Sequence, residues 1–265
     1  MRLRILAKTT KLPIIYRHRI LALLKEAIES SNRQYKELLY ADRKPKPFTF
    51  SVLFPRGTAL KKEAFPLSDG IEIVDYVFYF PEDSYFHVLL SSSDYEFLIN
   101  LYNGLLKIRA FPFNKDIKID IFRIIPVDKK PVISNKAVFK TLSPILIEDK
   151  EGKPIFGNDK SFDMDVFNRE LNEIQDRILI TLRGKGLKKR LAFEPIRWKK
   201  QVVKHTLSKV LEGYAKGELT KPYITLTCFE GCFKLEGDQE DLEMIYHIGL
   251  GLRTGQGFGM VEVVG

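Results

Sequence analysis

The sequence predicts an α+β protein in which one βαββαβ unit is followed by a second of the same order. Three observations carry that expectation. Apolar periodicity alternates between about two and about 3.6 residues, giving strand, helix, strands, helix, strand over 1–130 and again over 131–265. A proline- and charge-rich break, Pro126-Val127-Asp128-Lys129-Lys130-Pro131, separates the two runs. At 265 residues the chain is long enough for two modest cores. The expected architecture is tandem ferredoxin-like (RRM-like), with a central cleft between the two sheets.

In the first unit, residues 2–9 alternate as a strand. Residues 16–32 form a helix that buries Ile20, Leu23, Leu24, Ala27 and Ile28, and a short helical piece follows over 34–40. A strand over 49–54 is closed by Pro55-Arg56-Gly57, and β-rich runs follow at 71–80 and 85–90. A helix starts near the Ser93-Asp94 cap, turns Phe97, Leu98, Leu101 and Leu105 inward, and leads to a strand over 117–126. The second unit opens with a strand over 138–142. A helix from Ser161 carries Phe167, Leu171, Ile174, Ile178 and Leu182 on one stripe. After a basic stretch come strands over 223–229 and 232–235, a helix capped by Asp238, a glycine-rich loop and a last strand.

Composition excludes several classes. No apolar run reaches the ~18 residues needed to span a bilayer, and the N-terminal residues read as a strand rather than a leader, so a cytoplasmic protein is expected. Cys228 and Cys232 lie four apart on a strand, too far for a bridge, and are expected to be reduced. A single Cys-x-x-x-Cys pair makes a poor zinc site. The formal charge of +9 is concentrated between residues 183 and 209. Arg183, Lys185, Lys188, Lys189, Arg190, Arg197, Lys199, Lys200, Lys204 and Lys209 are opposed in sequence by Glu194 alone. Such a concentration suits a polyanion. It would also suit a solvated face of a heat-adapted protein, although such faces interleave Glu with Lys. Trp198, between Arg197 and Lys199, is either a stacking platform or a packed anchor.

The C-terminal segment runs Gly249-Leu250-Gly251-Leu252-Arg253-Thr254-Gly255-Gln256-Gly257-Phe258-Gly259, then a short strand. A dinucleotide fingerprint must open a helix, and none follows here. What remains is a loop with backbone N–H groups and Arg253 available to a phosphate, or simply a tight turn before an edge strand. This loop resembles that of the CRISPR-associated endoribonucleases that process repeat RNA, members of the repeat-associated (RAMP) superfamily. Phe48-Thr49-Phe50-Ser51, Thr141-Leu142-Ser143-Pro144-Ile145 and Leu12-Pro13-Ile14-Ile15-Tyr16-Arg17-His18 are similar to that family too, in the same order.

The resemblance implies repeat RNA as partner, metal-independent cleavage by the 2′-hydroxyl to a 2′,3′-cyclic phosphate, and no cofactor or metal. Other CRISPR-associated proteins of an effector complex are further partners it suggests, with a monomer or homodimer left open. Such cleavage needs a base, an acid and positive charge on the phosphorane. The RNA brings its own nucleophile, so no cluster of carboxylates is required. On the first helix His18 and Lys25 share a face, with His18 suited to proton transfer or else an ordinary helix-start residue. The family's catalytic Tyr, His and Lys fall by position on Lys25, Tyr40 and Lys46, and only Lys46 matches. The expected catalytic set is therefore Lys25, Tyr40, Lys46 and His18. Expected RNA contacts are Lys185, Lys188, Lys189, Arg190, Arg197, Lys199, Lys200, Arg253, Gly255 and Gly257. The histidine replaced by Tyr40 leaves a non-catalytic or weakly catalytic RNA-binding subunit as the alternative, and a basic scaffold as a third reading.

Overall fold

The computed structural model describes residues 1–128, 130, 132–155 and 162–264. Strand β1 (Arg2–Lys8) lies between β6 (Phe86–Ser92) and β8 (Lys118–Val127), with β3 (Phe48–Leu53) outside β6 and the short β7 (Ala110–Pro112) outside β8. All neighbours are antiparallel. Helices α1 (Arg17–Ser31) and α3 (Tyr95–Ile108) bury Ile20, Leu23, Leu24, Phe97, Leu98 and Leu101 in a core shared with Leu3, Ile5, Phe48, Phe50, Val88 and Leu90. The caps are chemical: the Asp94 side chain accepts from the Phe97 N–H at the start of α3. Asn32 ends α1 in an extended conformation, and its side chain accepts from Tyr35 N to start α2 (Arg33–Tyr40).

The second unit repeats the order. Strand β9 (Lys136–Thr141) lies between β11 (Ile224–Glu236) and β12 (Val261–Val263), and β10 (Ala192–His205) forms the outer edge beside β11. Helices α4 (Met164–Arg183) and α6 (Gln239–Ile248) contribute Phe167, Leu171, Ile174, Leu242 and Ile245 to its core. In both units the first and third core strands are central and the second and fourth lie outside them, which is the ferredoxin-like topology twice over. Among the described residues no helix is long and apolar enough to cross a membrane.

Three expectations change. The β-rich run at 71–80 is not a core strand. It forms β5 (Ile71–Tyr79), which with β4 (Ala59–Ser68) and β2 (Lys11–Pro13) makes a separate three-stranded sheet. The pieces 223–229 and 232–235 are one strand, continuous through Gly231, where a bulge opposite lets the Arg197 backbone approach. Much of the basic stretch, which the sequence leaves without an element, forms strand β10, followed by α5 (Ser208–Ala215). Trp198 is an anchor: its ring meets Phe167, Phe193 and Phe229 at 5.4–5.6 Å between centroids. Lys129 and Pro131 of the expected break, and Ser161 at the expected helix start, lie outside the described residues. Cys228 is buried, Cys232 is half-buried, and both are free thiols.

Candidate functional site

The glycine loop packs against the first unit, along β3. Thr49 Oγ1 donates to Phe258 O at 2.8 Å, and Ser51 Oγ donates to Leu142 O across the same seam. Arg17 Nε donates to Gly257 O at 3.3 Å. A Cβ on Gly257 would lie 2.7 Å from the Phe50 ring, and one on Gly255 3.2 Å from Lys46 Cβ. Gly257 is at φ +88° and Gly259 at φ +73°, so both space and conformation demand glycine. Gly257 is buried and its N–H donates to Thr254 O at 3.1 Å. The expectation of a free amide there for a phosphate is therefore corrected: that donor is already used. Arg253 is half-buried in a left-handed conformation and reaches Gln256 Oε1 at 3.4 Å.

Beside the seam, α1, α2 and the segment leading into β3 bring Lys25, Tyr40 and Lys46 together. Lys25 Nζ lies 4.5 Å from the centroid of the Tyr40 ring, and Lys46 Nζ 5.3 Å from the same centroid. The ring's negative face attracts both ammonium groups and lets two like charges share one place. Burial, then the Lys36 charge, holds the Lys25 ammonium below the usual lysine range. Burial also lowers Lys46, with Asp42 opposing that shift and Lys25 reinforcing it. Lys46 Nζ is anchored by the carbonyls of Leu39 at 2.6 Å and Asp42 at 2.9 Å. The Tyr40 hydroxyl is buried without a hydrogen-bond partner, and burial raises its pKa, so it keeps its proton.

His18 and Lys25 stand on the wall of one cavity of about 1030 Å³ between the two units. It is bounded by α1, the β4–β5 turn, the 112–115 segment and the start of α5. Burial and the adjacent Arg19 push His18 down to about 4, so it is neutral at physiological pH and a weak base. His18 therefore does not have the near-neutral pKa expected of a proton-transfer group. His205, at the end of β10, lies on the same wall and is pushed down to about 3 by burial and Arg17. In sequence it reads as one more residue of a lysine-rich run, suited to touching a phosphate and not to proton transfer.

The basic stretch separates into two sets. Lys188 Nζ pairs with Glu240 at 2.5 Å, Lys189 with Glu236 at 3.0 Å and Lys199 with Glu230 at 3.6 Å. Lys204 reaches buried Asp75 at 2.5 Å. Glu194, the sole acid inside the stretch, pairs instead with Lys234. Exposed Lys185, Arg190, Arg197 and Lys200 have no acidic partner among the described residues.

Known proteins resemble this chain along nearly its whole length. Residues 127–263 match the family model described as CRISPR associated protein Cas6, C-terminal. The chain is 28% identical over 259 residues to a Methanocaldococcus jannaschii protein named CRISPR-associated endoribonuclease Cas6 1, covering 95% of this chain and 87% of the relative. A Pyrococcus furiosus protein named CRISPR-associated endoribonuclease Cas6 is 26% identical over 264 residues, covering 96% of this chain and 84% of its own. A solved structure described as a RAMP protein binding different RNA substrates superposes with a TM-score of 0.72 at 20% identity, with full coverage of both chains. Another, of a Cas6-related gene from Pyrococcus furiosus, superposes with a TM-score of 0.70 at 21% identity, covering all of this chain and 98% of that one. At those identities the structural likeness speaks to the fold.

Proposed function

The chain belongs to the Cas6 family of CRISPR-associated proteins, and from that premise we propose that it binds CRISPR repeat RNA and cuts it without a metal ion. The observation that carries the reading is the convergence of Lys25 and Lys46 on one tyrosine ring at the seam between the units. Two ammonium groups there repel a divalent cation and attract a phosphate. In the proposed step the RNA 2′-oxygen attacks the adjacent phosphorus and the P–O5′ bond breaks, leaving a 2′,3′-cyclic phosphate and a 5′-hydroxyl. Lys25, whose ammonium form burial disfavours, sheds its proton to solvent as the RNA binds and then takes the 2′-hydroxyl proton as a neutral amine. Water protonates O5′ as it leaves, since the buried Tyr40 hydroxyl does not reach it, and the Tyr40 ring holds the two lysines in place. Lys46 holds the negative charge that develops on the non-bridging oxygens. The ferredoxin-like units divide, in this reading, at the break near residue 130, and the cleft carries the RNA.

A second reading rests on one observation. Lys46 is already tied to two carbonyls and the Tyr40 hydroxyl faces protein, so the same cluster can grip a phosphate without cutting. The two readings separate on incubation with end-labelled repeat RNA in EDTA. A discrete cut bearing a cyclic phosphate, slowed roughly 100-fold by Lys46→Ala with little loss of binding, is the expected result. Binding with intact RNA would make the protein a reader rather than a nuclease.

A further inference from the structure

Helix α3 is apolar on two sides. Phe97, Leu98, Leu101 and Leu105 turn into the first core, where all four are buried. Tyr95, Ile99, Tyr102 and Leu106 turn outward and are 67%, 59%, 36% and 52% exposed. Spacings of four, three and four residues set them within roughly 60° of arc, one straight stripe along the helix. That is the narrow seam of two paired helices, not the wide face of a helix lying on a core. Single exposed apolar side chains are ordinary, whereas a contiguous row of large ones marks an interaction surface. None of the four lines the cavity between the units.

The stripe complements itself when a second copy is laid antiparallel upon it. With a twofold axis level with the Asn100–Leu101 peptide, Tyr95 stands opposite the other copy's Leu106, and Ile99 opposite its Tyr102. Each aromatic ring then covers a branched aliphatic chain. Glu96 and Lys107 are both exposed, and at about three turns apart they share one flank of the stripe. Antiparallel pairing sets each Glu96 beside the other copy's Lys107, while parallel pairing would set like charge on like. The helix dipoles also favour the antiparallel order. Lys107 Nζ donates to Ser30 O at 2.9 Å, and its ammonium has two further protons. The helix is ordered before any association: Asp94 accepts from Phe97 N at 3.1 Å and from the Tyr35 hydroxyl at 2.7 Å. Little further freedom is therefore lost on pairing.

We propose that this stripe pairs with the same stripe of a second copy of the chain, two α3 helices packed antiparallel about a twofold axis. Tyr95 packs on Leu106 and Ile99 on Tyr102, and a Glu96–Lys107 pair closes each end. The seam is short, so the dimer is weak, with a Kd of roughly 10 µM. It needs no RNA, and it stands whether or not the lysine cluster cuts.

The test is sedimentation of the full chain, without RNA, from about 1 to about 200 µM. The unmodified protein should move from the 30.7 kDa of one chain towards twice that mass. Ile99→Glu alters an exposed position, so Tm should hold while the dimer weakens at least about tenfold. Glu96→Lys should weaken it about fivefold, and adding Lys107→Glu to that variant should restore the parent affinity to within about twofold. Tm is read for every variant, and Tyr102→Glu replaces Ile99→Glu if the latter melts early. A monomer at every concentration would overturn the pairing and leave the stripe to a helix of another protein. A dimer untouched by either glutamate would place the interface elsewhere. A charge-swapped double variant that melts like the parent yet pairs no better than Glu96→Lys would overturn the antiparallel arrangement.

Discussion

The glycine loop and the Lys25–Tyr40–Lys46 cluster meet at Gly255, yet they dispose of their polar groups in opposite ways. In the loop, Gly257 N–H, Gly259 N–H and Leu250 N–H all donate to backbone carbonyls, and Phe50 fills the space a side chain would occupy. In the cluster, two lowered lysines face one ring and a hydroxyl has no partner. The conspicuous motif is thus a joint, and the inconspicuous lysines beside it hold the uncommitted chemistry. A motif marks where backbone is constrained, whereas reactivity lies where donors and charges are left over.

The largest effect should come from the joint. Gly259→Ala sets a Cβ 2.3 Å from the Leu250 carbonyl oxygen at a left-handed φ, so neither the side chain nor the backbone can give way. A loss of roughly 3 kcal/mol or more is expected, visible as a fall in Tm and as lower RNA affinity caused by it. A variant that melts like the parent would show that the loop is not packed as described.

A smaller effect concerns acid. His18, near 4 when folded and about 6.5 when unfolded, takes up its proton more readily in the unfolded chain. Its contribution to stability is therefore fully present above about pH 6.5 and is lost as pH falls towards 4, by up to about 3 kcal/mol. His205 acts in the same direction. Thermal melts from pH 7 to pH 4 should show this decline, and His18→Leu should flatten it. A profile unchanged by that substitution would place His18 in solvent.

The smallest effects divide the basic stretch. Arg190→Ala, Arg197→Ala and Lys200→Ala should each lower the salt dependence of RNA binding by about one unit of slope where the side chain contacts a phosphate. Lys188→Ala and Lys189→Ala should change it less, because Glu240 and Glu236 already neutralise them. Equal effects from both sets would mean that RNA displaces those carboxylates.

Sequence periodicity was sufficient for α1, α3, α4 and α6, since their buried stripes are local, and it missed α5, which buries only Gly213. It failed at β10, because an edge strand with solvent on one side presents lysines where a core strand shows valines. It failed at β4 for a similar reason: Ala59, Leu60, Lys61 and Lys62 are exposed on a sheet away from the main cores. The charge excess was legible in composition, but its partners were not, because Glu230, Glu236 and Glu240 come from elements distant along the chain. Lys25, Tyr40 and Lys46 were singled out by family likeness, whereas their shared ring contact depends on how α1, α2 and β3 are set against one another. For the loop the sequence leaves two readings open, a phosphate cradle or a tight turn, because it cannot show that Phe50 sits against Gly257.

Arg2 also bears on how the molecule is made. Its guanidinium donates to Val261 O at 2.6 Å, Tyr246 O at 3.0 Å and Glu262 Oε2 at 2.8 Å, and it lies 3.6 Å from the Tyr246 ring centroid. Arg2 lies 260 residues from Glu262, so its charge is matched only once β12 is in place. During translation the first unit can collapse around its own core, but β1 then carries a cation with no counter-charge. The contact has very high sequence separation, which makes its closure a late event in folding. Docking of β12 should thus act as a latch, converting two loosely associated units into one cooperative molecule.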